Sequence, residues 1–404
     1  MKKLTLLILI AFFVKAVVFS QGCLPGGITF TTQEAIDSFQ TDYPDCTEIE
    51  GRVMIYGGNI TNLVGLSVVT SIGEELVISD NNALTSISGL NNIVEIGGYL
   101  VIGYNNELTS LTGLNNIVSI NGNLEVIGNN LLTNLSGLDN ITTIGGHFRI
   151  YENDLLTSFT GVESLTAIGG DLYIYNSFVL TSLVGLSNVT SIGENLFIGC
   201  ESGYLSALTT LVGLYNLTTI GGNATLLSNS SLIDLEGLNN LTSIGETLTI
   251  DGNNILSSIE GISNIESIIN NLNIRNNPLL STCEVVSVCE YLANPTGNVS
   301  IFNNAPGCNS AEEVEEACLV SVESYDVESE FSIYPNPSKN KLFLSNKSGI
   351  AINEVNIYNQ LGQKVLHEST VSGLIDISTL DNGIYVIELF TDRIVIRETL
   401  IVEK

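Results

Sequence analysis

The sequence predicts an all-β protein, a right-handed parallel β-helix of 24-residue coils with a short N-terminal capping helix and a small C-terminal β-sandwich. Three observations lead there. A glycine followed by an aliphatic residue recurs at Gly65, Gly89, Gly113, Gly137, Gly161, Gly185, Gly213, Gly237 and Gly261, every step being 24 residues except the 28 from Gly185 to Gly213. A fixed period in this range marks a solenoid, whose single repeats cannot bury their own apolar face and must stack. Within a repeat, apolar residues fall at −5, −2, +1, +4, +7, +11 and +13 from the glycine, as in Leu108, Leu111, Leu114, Ile117, Ile120, Leu124 and Val126. The last two of these form an alternating Leu-x-Ile strand in most coils, for instance Leu76 and Ile78, Leu100 and Ile102, Leu172 and Ile174, Leu248 and Ile250.

An α-helix is excluded for the run of apolar residues three apart. Each such step falls about 60° short of a full turn, so the stripe smears around the helix instead of holding one face. Short straight sides joined by corners fit, as in a β-helix or a leucine-rich-repeat-like coil with almost no helix. Glycine at +8, as in Gly97, Gly145 and Gly169, suits the corner before the strand. Asparagine at −8 (Asn81, Asn105, Asn129, Asn153, Asn229, Asn253, Asn277) is expected in a left-handed corner, bonding the neighbouring coil's backbone.

Residues 1–20 read as a secretory signal peptide: Lys2 and Lys3, the apolar run Leu4 to Val14, then Val18 and Ser20 before a cut at Gln21. A lipoprotein signal ending at Cys23 is the alternative, and Ser20-Gln21-Gly22 matches it poorly. No later stretch is apolar and long enough to span a membrane as a helix, so no transmembrane anchor is expected. Seven cysteines without zinc-type spacing point to disulfides and an oxidising compartment. The net charge of −30 argues against nucleic acid and anionic membrane surfaces as partners.

The solenoid is expected over residues 21–318. Its entry, residues 23 to 56, contains Thr31-x-x-Glu34, a capping box opening a short helix with Ala35, Ile36 and Phe39 on one face. Cys23 and Cys46 flank that helix and are expected to pair. The first coil begins Cys46-Thr47-Glu48-Ile49-Glu50-Gly51-Arg52-Val53-Met54-Ile55.

That opening, after a Cys-flanked helix, resembles the receptor L domain of the insulin and epidermal-growth-factor receptors. The other end, Asn276-Asn277-Pro278-Leu279-Leu280-Ser281-Thr282-Cys283, resembles the last L-domain coil. The resemblance implies a Cys283–Cys308 bond, with Cys289 left for Cys318. The other two pairings of these four cysteines stay open, although Cys283–Cys289 would be strained in a helix. The ten or so coils exceed the receptor module, so receptor ligand specificity does not carry over. Cys200 is the odd cysteine, at the start of an insertion running to Ser206. It is either an incidental loop residue or an intermolecular link.

Residues 319–330 form an acidic linker, and residues 331–404 a second module of short alternating strands with Asn/Gly turns. Its opening Tyr334-Pro335-Asn336-Pro337, together with Val355 to Val365 and Asp381 to Ile387, resembles the type A sorting domain of the type IX secretion system of Bacteroidota. The resemblance implies contact with that secretion machinery and its C-terminal signal peptidase. It further implies export across the outer membrane, with the tail removed and the protein released or held at the cell surface.

No catalytic constellation is visible, and no cofactor or metal is expected. Only two histidines occur, and Asp139, Asp154, Asp171, Asp234 and Asp251 fall at different repeat positions. The informative surface is the outward face of the Leu-x-Ile strands at +10, +12 and +14. Most coils place small or polar residues there, but the middle ones give His147, Arg149 and Tyr151, then Asp171, Tyr173 and Tyr175, then Asn195 and Phe197, with Tyr99 two coils earlier. Stacked about 4.8 Å apart these make one patch. Aromatics with an Arg suit a sugar or a protein hot spot, whereas a purely structural origin lies in the preference of Tyr and Phe for exposed sheet positions. The expectation is an exported, non-catalytic recognition or adhesion protein for an extracellular glycan or protein. A surface or coat protein without a specific ligand is the alternative, and a polysaccharide-acting enzyme a third.

Overall fold

The computed structural model describes residues 22–200, 206–319, 331–346, 352–359, 363–369, 373–391 and 395–404. The expected signal peptide, nearly all of the linker and the tip of the 201–205 insertion lie outside the described residues. The chain divides into two compact units between Ala311 and Glu312.

The first unit is a parallel β-solenoid of about eleven turns. Among the described residues, its main sheet holds twelve parallel strands, from Ile28–Phe30 to Val299–Phe302, and a second holds ten two-residue strands, from Glu48–Ile49 to Ser267–Ile268. The register repeats the sequence period: Leu100, Leu124, Phe148, Leu172 and Leu196 are direct partners across adjacent strands. Every apolar position of the period points inward, and Leu108, Leu111, Leu114, Ile117, Leu124 and Val126 are fully buried. Each such side chain contributes roughly 1.5–3 kcal/mol of burial, which a single coil could not realise without neighbours above and below.

The corners depart from expectation in an instructive way. The left-handed residue is not the −8 asparagine but the one before it: Asp80, Tyr104, Gly128, Glu152, Asn176, Ser228, Gly252 and Asn276 all have φ between 50° and 72°. The asparagine itself is buried and acts as a hub between coils. Asn129 Oδ1 accepts the Asn105 N–H at 3.2 Å, while its Nδ2 donates to the Ile102 and Ile127 carbonyls at 2.8 and 3.1 Å. Asn81, Asn105, Asn129 and Asn153 form one such run, and Asn229, Asn253, Asn277 and Asn304 another. Between them Ser177 takes the place of asparagine. At Gly137 the anchor glycine is required twice over: its φ is 120°, and a Cβ there would fall on the Leu111 carbonyl of the previous coil.

Helix α1 (Gln33–Asp42) buries Ile36 and Phe39. It starts one residue later than the Thr31–Glu34 box: Thr32 is the N-cap, and its Oγ1 accepts from the Ala35 N–H at 3.2 Å. Gln33 Oε1 accepts the Thr61 and Asn62 N–H groups, and Gln40 Nε2 donates to the Gly65 carbonyl, tying the helix to the first coil. Disulfides join Cys23 to Cys46 and Cys283 to Cys308. Cys289 and Cys318 are also disulfide-bonded, and Cys200 is a buried free thiol. Helix α2 (Val286–Ala293) lies against the last short strand, Ser267–Ile268, where the Tyr291 hydroxyl donates to the Asn270 carbonyl.

The second unit contains two antiparallel sheets, one of three strands and one of four among the described residues. Leu342, Val355, Ile357, Ile375, Ile387, Leu389 and Leu400 form its core.

Candidate functional site

Four adjacent strands carry the patch: β1 (Leu124–Ile127), β2 (Phe148–Tyr151), β3 (Leu172–Tyr175) and β4 (Leu196–Gly199). Their inward residues lock the register, so the outward residues must align across strands. Glu125, Arg149, Tyr173 and Phe197 form one rank, and Ile127, Tyr151, Tyr175 and Gly199 the next.

The rings touch one another. Tyr173 stacks on Phe197 with centroids 4.7 Å apart and planes at 20°. Tyr175 meets Tyr173 at 5.7 Å and Phe197 at 5.8 Å, and Tyr151 meets Tyr173 edge-on at 6.4 Å. All four are half-buried. In the facing pair each ring covers one face of the other. Burial, with the Glu125 carboxylate adding, holds the Tyr151 phenol above its ordinary range; burial does the same at Tyr173, opposed by Arg149. Both hydroxyls therefore stay protonated and able to donate. Tyr99 lies apart from this cluster, its phenol raised by burial and by Glu75.

Arg149 Nη1 lies 3.2 Å from Glu125 Oε1 and its Nη2 3.7 Å from Asp171 Oδ2, which holds the guanidinium beside the rings. His147 belongs to a chain of side-chain acceptors at +10, one per coil. Asn123 Oδ1 accepts the His147 N–H, His147 Nδ1 accepts the Asp171 N–H, Asp171 Oδ1 accepts the Asn195 N–H, and Asn195 Oδ1 accepts the Asn223 N–H, at 2.8–3.0 Å. Asp171 is partly buried, which opposes its charge. The two hydrogen bonds from Asn195 overcome that, with help from His147 and Arg149, and its carboxyl lies below the usual range.

His147, Asp171 and Glu194 bring one ligand atom each within 4.8 Å of one another, a spacing a metal could use. The donor set fits poorly, because His147 Nδ1 is already engaged by Asp171, whose N–H lies 2.9 Å and Oδ2 3.0 Å from it.

The structure thus brings together Arg149, Tyr151, Tyr173, Tyr175 and Phe197, attaches His147 through Asp171, and leaves Tyr99 separate. Sequence reasoning missed Glu125, Glu194 and the corner residues Tyr104 and Glu152. The Tyr104 phenol is raised by burial and by Glu152, to which it hydrogen-bonds two coils away. The signal was present in the repeat alignment: Tyr104 and Glu152 share the position just after the strand.

Charge is divided unevenly around the coil. Residues 21–319 hold 31 acidic residues but only three basic ones, Arg52, Arg149 and Arg275. All three arginines occupy outward sheet positions, and each is paired there, with Glu75 at 4.0 Å, Glu125 at 3.2 Å and Asp251 at 2.8 Å. The sheet face is therefore close to neutral, while the other faces are acidic without a compensating cation.

In the second unit, Tyr334 stacks on Phe343 at 5.6 Å, and the Tyr334–Pro335 and Asn336–Pro337 peptide bonds are cis. Asn336 Nδ2 donates to the Thr399 carbonyl and its Oδ1 accepts the Ile401 N–H, fastening the motif to the final strand. Residues 332–403 match the family model described as a secretion system C-terminal sorting domain. This tail directs type IX export to the cell surface or beyond, and implies contact with the secretion machinery. No curated protein matches the chain. Among the described residues no helix is long and apolar enough to cross a membrane.

Proposed function

We propose that this exported solenoid is a non-catalytic recognition or adhesion protein that binds an extracellular glycan or protein through its main sheet face. The carrying observation is the coincidence, on one face, of the ring cluster Tyr151–Tyr173–Tyr175–Phe197 with the solenoid's only arginines. Interfaces are energetically centred on aromatic and arginine side chains with few uncompensated charges. The remaining faces, which carry acidic residues and no lysine or arginine, repel most anionic surfaces and each other. The likeness of both cysteine-bracketed ends to receptor L domains supports the same reading, as does an N-terminal segment read as a secretory signal.

The test is an array of glycans and matrix proteins probed with the full chain and with a Tyr173→Ala/Tyr175→Ala/Phe197→Ala variant whose circular dichroism is unchanged. Selective binding that disappears in the variant supports recognition through this face. Equal binding by both forms, or none, leaves a structural coat role, for which self-assembly is the measurement.

A further inference from the structure

We infer that the partner of this face is a protein carrying basic side chains around an apolar centre, an inference that rests on the recognition role proposed above. Two observations select it. First, the best-placed rings already spend a face on each other: Tyr173 and Phe197 stack at 4.7 Å and Tyr175 closes on Phe197 at 5.8 Å, which leaves less open ring face for a sugar. A compact ring cluster of this kind suits insertion among side chains. Second, the two borders of the face are acidic, with only His147, 3.8 Å from Glu194, as a basic neighbour within ion-pair distance among the described residues. Glu74, Glu194 and Glu246 line one border, immediately before the strands, and Asp80 and Glu152 the other, immediately after them; all five are exposed. Beside the strands from Leu76 to Asp251 neither border carries a lysine or arginine, and Arg52, just before the strand Val53–Ile55, is paired with Glu75.

The arrangement is an apolar centre, a paired-ion middle and an acidic rim. Complementarity across an interface asks for the inverse on the partner: an apolar or aromatic anchor flanked by Lys or Arg. The rim acts over a Debye length and so governs encounter, whereas the rings govern retention. A neutral glycan would leave the rim without a role, and an acidic polysaccharide would be repelled by it.

The experiment uses fluorescein-labelled short peptides alternating Lys/Tyr, Ser/Tyr or Glu/Tyr, titrated by anisotropy against the full chain at low and high salt. The Lys/Tyr peptide is expected to bind about tenfold tighter than Ser/Tyr at low salt, with the advantage shrinking as salt rises. Glu74→Gln/Glu152→Gln/Glu194→Gln removes the advantage, while the equally charged change Glu95→Gln/Glu236→Gln/Glu266→Gln, away from the face, leaves it within about twofold. Equal losses in both variants, equal affinity for Lys/Tyr and Ser/Tyr, or no peptide binding would overturn the inference. Lys/Tyr binding that survives Tyr173→Ala/Tyr175→Ala/Phe197→Ala would instead count against the recognition site itself.

Discussion

Tyr173 and Phe197, on adjacent strands and in direct register, lie ring over ring with centroids 4.7 Å apart. The pair holds the patch together before any ligand arrives. A double-mutant cycle of Tyr173→Ala and Phe197→Ala should show a coupling of about 0.5–1.5 kcal/mol in urea unfolding. Additive effects would mean that the rings are independent in solution.

The buried asparagine run should be among the most sensitive parts of the solenoid. Asn129→Ala removes the acceptor of the Asn105 N–H and two carbonyl contacts at once. Each buried group left unpaired costs about 1–3 kcal/mol, so a marked fall in the urea midpoint is expected. Asn106→Ala, which follows Asn105 of the same run and is exposed, should change it by no more than about 0.5 kcal/mol.

Two glycines should behave oppositely. At Gly137 an alanine meets both a left-handed backbone and the Leu111 carbonyl, and should destabilise by more than the roughly 1–2 kcal/mol of the backbone term alone. At Gly103 an added Cβ finds nothing closer than 3.5 Å. Gly103→Ala should be neutral or stabilising by about 0.4–1 kcal/mol. Thermal melts of the two variants decide it.

Asp171 sets an acid limit. Its folded carboxyl titrates below the usual value, because the Asn195 hydrogen bonds outweigh the cost of its burial. Its contribution is thus present above the unfolded value of about 3.9 and is lost as pH falls through the depressed folded value. Urea midpoints measured down through that window should fall less steeply in Asp171→Asn than in the parent.

Cys200 should be the single titratable thiol and a slow one. It is 3 % exposed, and burial raises its pKa against hydrogen bonds from Ser206 and Asn176. Without reductant, a thiol reagent should report one equivalent on denaturation and little before it. More than one would contradict the disulfide-bonded state of the other six cysteines.

The legibility of this fold was high where one residue type recurs and low where types mix. Leu, Ile and Gly return at fixed offsets because close packing and close backbone approach tolerate few alternatives, so coil, register and outward face could all be read directly. The left-handed corner holds Asp, Tyr, Gly, Glu, Asn and Ser in turn, which hides its conformation from any single coil. The +10 acceptors are equally mixed, since an amide, an imidazole and a carboxylate can each accept one N–H. Tyr151, Tyr173, Tyr175 and Phe197 could be placed on one face from their spacing, but not which ring would cover which. The pairing of the three solenoid arginines was hidden for a related reason: Arg149 and Glu125, for instance, lie 24 residues apart and meet only through stacking.

A coil that receives at its lower side the same bonds it offers at its upper side can be copied or dropped without leaving a mismatched joint. From Asn81 to Asn153, and again from Asn229 to Asn304, every junction between neighbours is closed by the same amide exchange. At Ser177, beside the 28-residue step, the joint is different, and a shuffled repeat there would find no matching neighbour. The molecule is thus two extensible rulers joined at one seam, and the ring cluster lies against that seam, where its neighbours are least free to change in number.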